Sequence, residues 1–148
     1  HWLAGPGDTV NRYIDLSVTG NLDGESATVQ ISSSDSNTLV NDSLKGLQIS
    51  ISACSVAWTQ TGAGTCSGTT TSVLTSTPVV TLKASATSIV LPSTLAAGVN
   101  RLRLTTNLPA GNENTINGVL PVGTVQGLTA SLTWAFVIQE RAVTNTSS

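Results

Sequence analysis

Few residues in this chain are of the types that carry covalent or acid–base chemistry. There is one histidine, His1, and it is the first residue. A Ser-His-Asp triad needs an imidazole that the fold holds against a hydroxyl. A His-Glu-x-x-His metalloprotease needs two histidines on one helix face. His1 alone supplies neither. The eight acids are Asp8, Asp15, Asp23, Glu25, Asp35, Asp42, Glu113 and Glu140. Carboxylate-pair catalysis requires two of them a few ångström apart. These acids fall mostly in turn-forming sequence or on polar strand positions, where solvated surface charge is expected. Asp35-Ser36-Asn37 and Asp23-Gly24-Glu25 present oxygens of the kind calcium accepts, without the EF-hand pattern. The expectation is no catalytic residue, no metal, no cofactor and no enzyme.

The two cysteines, Cys54 and Cys66, bracket a Gly/Thr-rich stretch. An even count in a hydroxyl-rich, charge-poor chain points to a disulfide formed in an oxidising compartment. Closing so short a loop is worth roughly 3 kcal/mol in the chain-entropy picture. Two buried free thiols are the alternative, and the spacing matches no zinc module.

Composition narrows the class of partner. Only 9% of the 148 residues are charged, and the formal net charge is −2. Ser and Thr together exceed a quarter of the chain. The six cations are Arg12, Lys45, Lys83, Arg101, Arg103 and Arg141, and only Arg101 and Arg103 lie close in sequence. Nucleic-acid binding calls for a basic stripe, so no nucleic-acid partner is expected. No run of about 20 apolar residues is present, so no transmembrane helix and no membrane partner are expected. The chain begins at His1 and contains no Met, which reads as a processed or trimmed form.

The elements that must position these residues are strands. Val10, Arg12, Ile14, Leu16 and Val18 alternate with polar neighbours, as do Ala27, Val29 and Ile31, and Leu47, Ile49, Ile51 and Ala53. A period of two marks a strand with one buried face. Residues 79–83 and 88–91 read as short strands beside Pro78 and Pro92. Leu102 and Leu104 alternate with Arg101, Arg103 and Thr105. The clearest strand is the last, where Leu128, Ala130, Leu132, Trp134, Phe136 and Ile138 form one face. Leu132, Trp134 and Phe136 are its expected core anchors, since the aromatics bring the largest apolar areas. Residues 62–71 and 108–123 read as loops, and 41–46 as one short turn capped by Asn41 or Asp42. Short strands, turn signals and no long helical period predict an all-β fold: a single antiparallel β-sandwich of jelly-roll type. Residues 8–143 form that domain, 1–7 an N-terminal segment and 144–148 a tail.

A set of segments, in order, resembles the TasA/camelysin family. Ala4-Gly5-Pro6-Gly7-Asp8-Thr9-Val10 running into Tyr13-Ile14-Asp15-Leu16-Ser17-Val18-Thr19-Gly20 is similar to that family's Pro-Gly-Asp strand and following turn. Gly46-Leu47-Gln48-Ile49 leading to Cys54, Trp58, Cys66 and Gly68 is similar to its disulfide-bearing members. Arg101-Leu102-Arg103-Leu104 with Leu108-Pro109, and Gln126-Gly127-Leu128-Thr129-Ala130 leading to Gln139-Glu140-Arg141, complete the set. The resemblance implies a secreted jelly-roll subunit of extracellular biofilm-matrix fibres. In such fibres an extended terminal segment of one subunit completes the sheet of the next. Camelysin members are described as metalloproteases, but no residue here can take over that role. Family members carry a strand before the Pro-Gly-Asp segment, whereas only seven residues precede Asp8 here.

These features predict a homopolymer whose partner is a second copy of the chain. The expected donor is the segment His1, Trp2, Leu3 and Ala4, with Trp2 and Leu3 as groove-facing candidates. The mostly polar segment 142–148 is the alternative donor. A monomeric secreted adhesion module, binding through loops 62–71 and 110–123, is the competing function.

Overall fold

A computed structural model gives the fold, and it describes residues 2–3, 9–18, 22–62, 64–92, 98–109 and 129–140. The chain is predominantly β. Its strands are β1 (Trp2–Leu3), β2 (Thr9–Val18), β3 (Leu22–Ser32), β4 (Gln48–Cys54), β5 (Thr70–Pro78), β6 (Thr87–Ile89), β7 (Gly98–Asn107), β8 (Thr129–Ala130) and β9 (Thr133–Glu140). Two short helices interrupt them, α1 (Thr38–Asn41) and α2 (Val79–Ala84). A four-stranded sheet runs β2-β7-β4-β5, a three-stranded sheet runs β6-β3-β9, and β1 pairs with β8 apart from both. Every pair is antiparallel.

The period-two pattern decides which side chains go inside. Ala27, Val29 and Ile31 of β3, Ile49, Ile51 and Ala53 of β4, and Leu102 and Leu104 of β7 are all buried. They join Leu39 and Val40 of α1 and Val79 and Leu82 of α2 in one apolar cluster fed by both larger sheets. Burying such a side chain is worth about 1.5–3 kcal/mol, so this cluster is the main source of stability. Leu132, Trp134 and Phe136 lie on the core side of the last strand as expected, while Thr133, Ala135 and Val137 are exposed. They are half-buried and pack against the cluster. The two rings stack nearly parallel, with centroids 6.2 Å apart. Among the described residues the largest fully buried side chains are aliphatic.

Four local expectations need correction. Residues 79–83 lie in helix α2, not in a strand. Val79 and Leu82 are buried three residues apart, a helical spacing that the β-favouring Val and Thr around them obscure. The stretch 62–71 is a loop only as far as Thr69, because β5 begins at Thr70. That edge strand shows little apolar alternation; of its residues only Leu74 is buried. The cap of the first helix is Asn37, whose side-chain oxygen accepts the Leu39 N–H at 3.0 Å. Residues 42–46 follow as a turn in which the Asp42 carboxylate accepts N–H groups from Lys45 at 2.7 Å and Leu44 at 2.8 Å. Those two bonds hold the Asp42 carboxyl below the usual aspartate range. Finally, the last strand is broken at residues 131–132, which separates β8 from β9. The expected loop at 110–123 lies outside the described residues.

Cys54 and Cys66 form a disulfide, with Cα atoms 5.7 Å apart. Among the described residues no free cysteine remains. Alkylation of unreduced native protein should therefore label neither position. Two adducts per chain would contradict the bridge.

Candidate functional site

The N-terminal segment singled out in the sequence is placed against the break in the last strand. Trp2 faces Ala130 and Leu3 faces Thr129 across an antiparallel pair. His1 and Ala4 lie outside the described residues, as does 142–148. Ala130 is buried in the apolar cluster, so β8 is anchored to the core on one side.

The break that creates β8 has a visible cause. The last β3–β9 pair is Ser32 with Thr133. Immediately beyond it, the Ser131 N–H donates to Asp35 Oδ2 at 2.7 Å. The Ser131 carbonyl accepts the Ser33 hydroxyl at 2.6 Å. Ser33 Oγ also accepts the Asp35 N–H at 3.1 Å, which ties the two loop residues together. A residue whose backbone donor and acceptor are both occupied by side chains contributes nothing to a strand ladder. The ladder therefore stops at Thr133, and Thr129–Ala130 form a separate short strand. Asp35 and Asn37 thus act as a strand-break contact and a helix cap. Asp35 stands out in the sequence only as a surface acid or a calcium-type oxygen donor, and Ser33 and Ser131 do not stand out at all, because Ser/Asp/Asn clusters look alike whether they bond locally or across the fold.

A second polar assembly lies on the outer face of the four-stranded sheet. The disulfide loop folds back so that Trp58 packs over β7 and β2. The Arg103 guanidinium carbon lies 4.6 Å from the Trp58 ring centroid, a cation–π geometry. The Trp58 indole N–H donates to the Arg101 carbonyl at 2.8 Å. Tyr13, which pairs with Arg103 across β2–β7, stands with its ring centroid 6.1 Å from that of Trp58. Arg103 Nη1 donates to the Gly64 carbonyl at 3.2 Å. Gly64 has φ +79° and is so close to the Tyr13 hydroxyl that a Cβ there would collide with it. Only glycine combines that backbone with that approach. These contacts fasten the loop, and they already occupy the Trp58 ring face and indole N–H.

Beside the bridge is a cavity of about 230 Å³ lined by Ala53, Cys54, Thr69, Thr71, Pro92 and Asn100, among others. It is smaller than the ~300–1,000 Å³ sites that hold drug-sized ligands. Among the described residues no group of three His, Cys, Asp or Glu side chains could hold a metal ion. No described helix is long and apolar enough to cross a membrane. No family model matches the chain, and no curated protein matches it either.

Proposed function

We propose that this chain is a structural subunit of an extracellular protein filament, assembled by strand complementation between copies. The observation that carries this reading is the β1–β8 pair. Its donor, Trp2–Leu3, is a strand of two residues, and its acceptor stands apart from both larger sheets. Two paired residues make few backbone hydrogen bonds, each worth about 0.5–1.5 kcal/mol net. Exchanging the segment with a neighbour restores the same contacts at little cost. A head-to-tail exchange of that kind does not close on itself and so extends into a filament. Strand addition supplies main-chain bonds for affinity and side-chain pockets for specificity.

Two further features support the reading. Two antiparallel sheets feed one apolar cluster, and apart from β4–β5 their neighbouring strands are non-consecutive in sequence, in keeping with a jelly-roll sandwich. The Cys54–Cys66 bridge fits an oxidising, extracellular location. The ordered resemblance to TasA/camelysin fibre subunits points the same way. The subunit has no enzymatic role, and its partner is itself.

Deletion of His1 to Ala4 tests the proposal. The shortened chain should keep its β circular dichroism and its disulfide yet form no fibres by negative-stain electron microscopy. Fibres of normal yield and repeat from the deletion would rule out the N-terminal donor. A chain that keeps His1 to Ala4 and stays monomeric would favour the adhesion-module reading.

A further inference from the structure

We propose that Asp35 and Ser33 are positioning residues that hold β8 as the acceptor strand for the β1 segment of a second copy of this chain. The inference rests on the filament reading above and names the device that presents its acceptor.

Ser131 stands where the β3–β9 ladder would otherwise continue. Ser32 and Thr133 are the last paired residues of β3 and β9, and residues 33–35 continue alongside 131. With its N–H and C=O free, Ser131 can extend the β9 ladder by pairing with the backbone beyond Ser32. Extension through 131–132 would make Thr129–Ala130 a continuation of β9 beside the chain beyond Ser32, with Ala130 still on the core face, and would take it out of the separate position in which it pairs with Trp2–Leu3. The Asp35 carboxylate on the Ser131 N–H, at 2.7 Å, and the Ser33 hydroxyl on its carbonyl, at 2.6 Å, prevent this. Both contacts span more than 90 residues of sequence, so they are set by the tertiary fold and not by a local turn. β8 is thus fixed by Ala130 in the core on one side and by Ser131 in the latch on the other. Its pairing with Trp2–Leu3 depends on that placement. A bond from a backbone N–H to a carboxylate is charge-assisted and stronger than a neutral one, which suits a contact that must persist while the donor exchanges.

Amide hydrogen exchange and electron microscopy on the full chain test this with Asp35→Ala, Asp35→Asn and Ser33→Ala. Asp35→Ala should speed exchange of the Trp2–Leu3 and Thr129–Ala130 amides by about tenfold or more. Exchange in β2, β7 and the β3–β9 ladder up to Thr133 should stay unchanged, and fibre yield should fall. Asp35→Asn keeps an acceptor oxygen for the Ser131 N–H and should recover most of the protection and most of the fibres. Ser33→Ala should give an intermediate loss. Unchanged β1–β8 exchange with normal fibres in Asp35→Ala overturns the latch while leaving the filament reading standing. Equal acceleration in every strand, in both Asp35 variants, also overturns it, because Asp35 would then support the whole fold. A wild-type chain that never forms fibres defeats the filament reading itself, and with it the role assigned to a second copy.

Discussion

Gly46→Ala should destabilise the fold by on the order of 3 kcal/mol, the upper part of the range for forcing atoms into a packed site. Gly46 ends the 42–46 turn, where its N–H donates to the Asp42 carbonyl at 3.1 Å. The next residue, Leu47, donates to the Leu39 carbonyl at 2.8 Å and enters the core. A Cβ on Gly46 would collide with the Asp42 carbonyl oxygen. It would also lie 2.8 Å from the Leu39 and 2.9 Å from the Thr38 carbonyl oxygens. All three obstacles are backbone, so no side chain can swing aside. The turn must open, which pulls on α1 at one end and on β4 at the other. For a domain of this size the melting midpoint should fall by about 10 °C. A midpoint within a degree or two of wild type would show that the turn is looser than the packing around Gly46 implies.

Leu102→Ala should cost about 2–5 kcal/mol, the range for deleting a buried leucine side chain. Leu102 is fully buried on β7, which has a neighbour on each side in the four-stranded sheet. It faces Ile14 of β2 and Ala53 of β4 across the ladders. Backbones paired on both sides cannot collapse into the space left behind, which favours the upper half of the range. The loss should appear as a lower denaturant midpoint with an unchanged slope. Trp134→Ala should cost less than full burial of a large aromatic would imply, because Trp134 is only half-buried.

What the sequence made legible follows from how each segment is buried. The alternation at 27–31, 47–53 and 101–105 matches the observed faces, because each of these segments has one face in the core and one outside. The disulfide follows the even cysteine count. Helix α2 was hidden because six residues are too few to show a helical period. β5 was hidden because an edge strand rich in Ser and Thr needs little apolar alternation to hold its place. The break at Ser131 was invisible for a different reason. Leu128 to Ile138 reads as one unbroken apolar face, and the interruption is imposed by two side chains nearly 100 residues earlier. The docking of Trp58 on Arg103 was equally hidden, since sequence gives the loop's closure but not the surface it folds onto. Of the candidate site, the N-terminal segment was legible from its apolar Trp2 and Leu3. Its partner strand was not, because pairing across the fold leaves no local signature.

Strand exchange between copies is tested most directly by cross-linking across the β1–β8 pair. Leu3 and Thr129 lie opposite each other in that pair, where Cβ atoms are about 4.5–5.5 Å apart, close enough for an engineered disulfide. One chain carries Leu3→Cys alone and a second carries Thr129→Cys alone. The native bridge leaves no free thiol among the described residues to compete. Because neither chain can close the new bond within itself, only exchange between copies can form it. The two chains are mixed, allowed to assemble and oxidised. Strand exchange between subunits gives a reducible covalent dimer on a non-reducing gel, and the doubly substituted chain gives a ladder of higher oligomers. A mixture that stays monomeric, together with a double variant that cross-links only within its own chain, would contradict assembly by strand exchange.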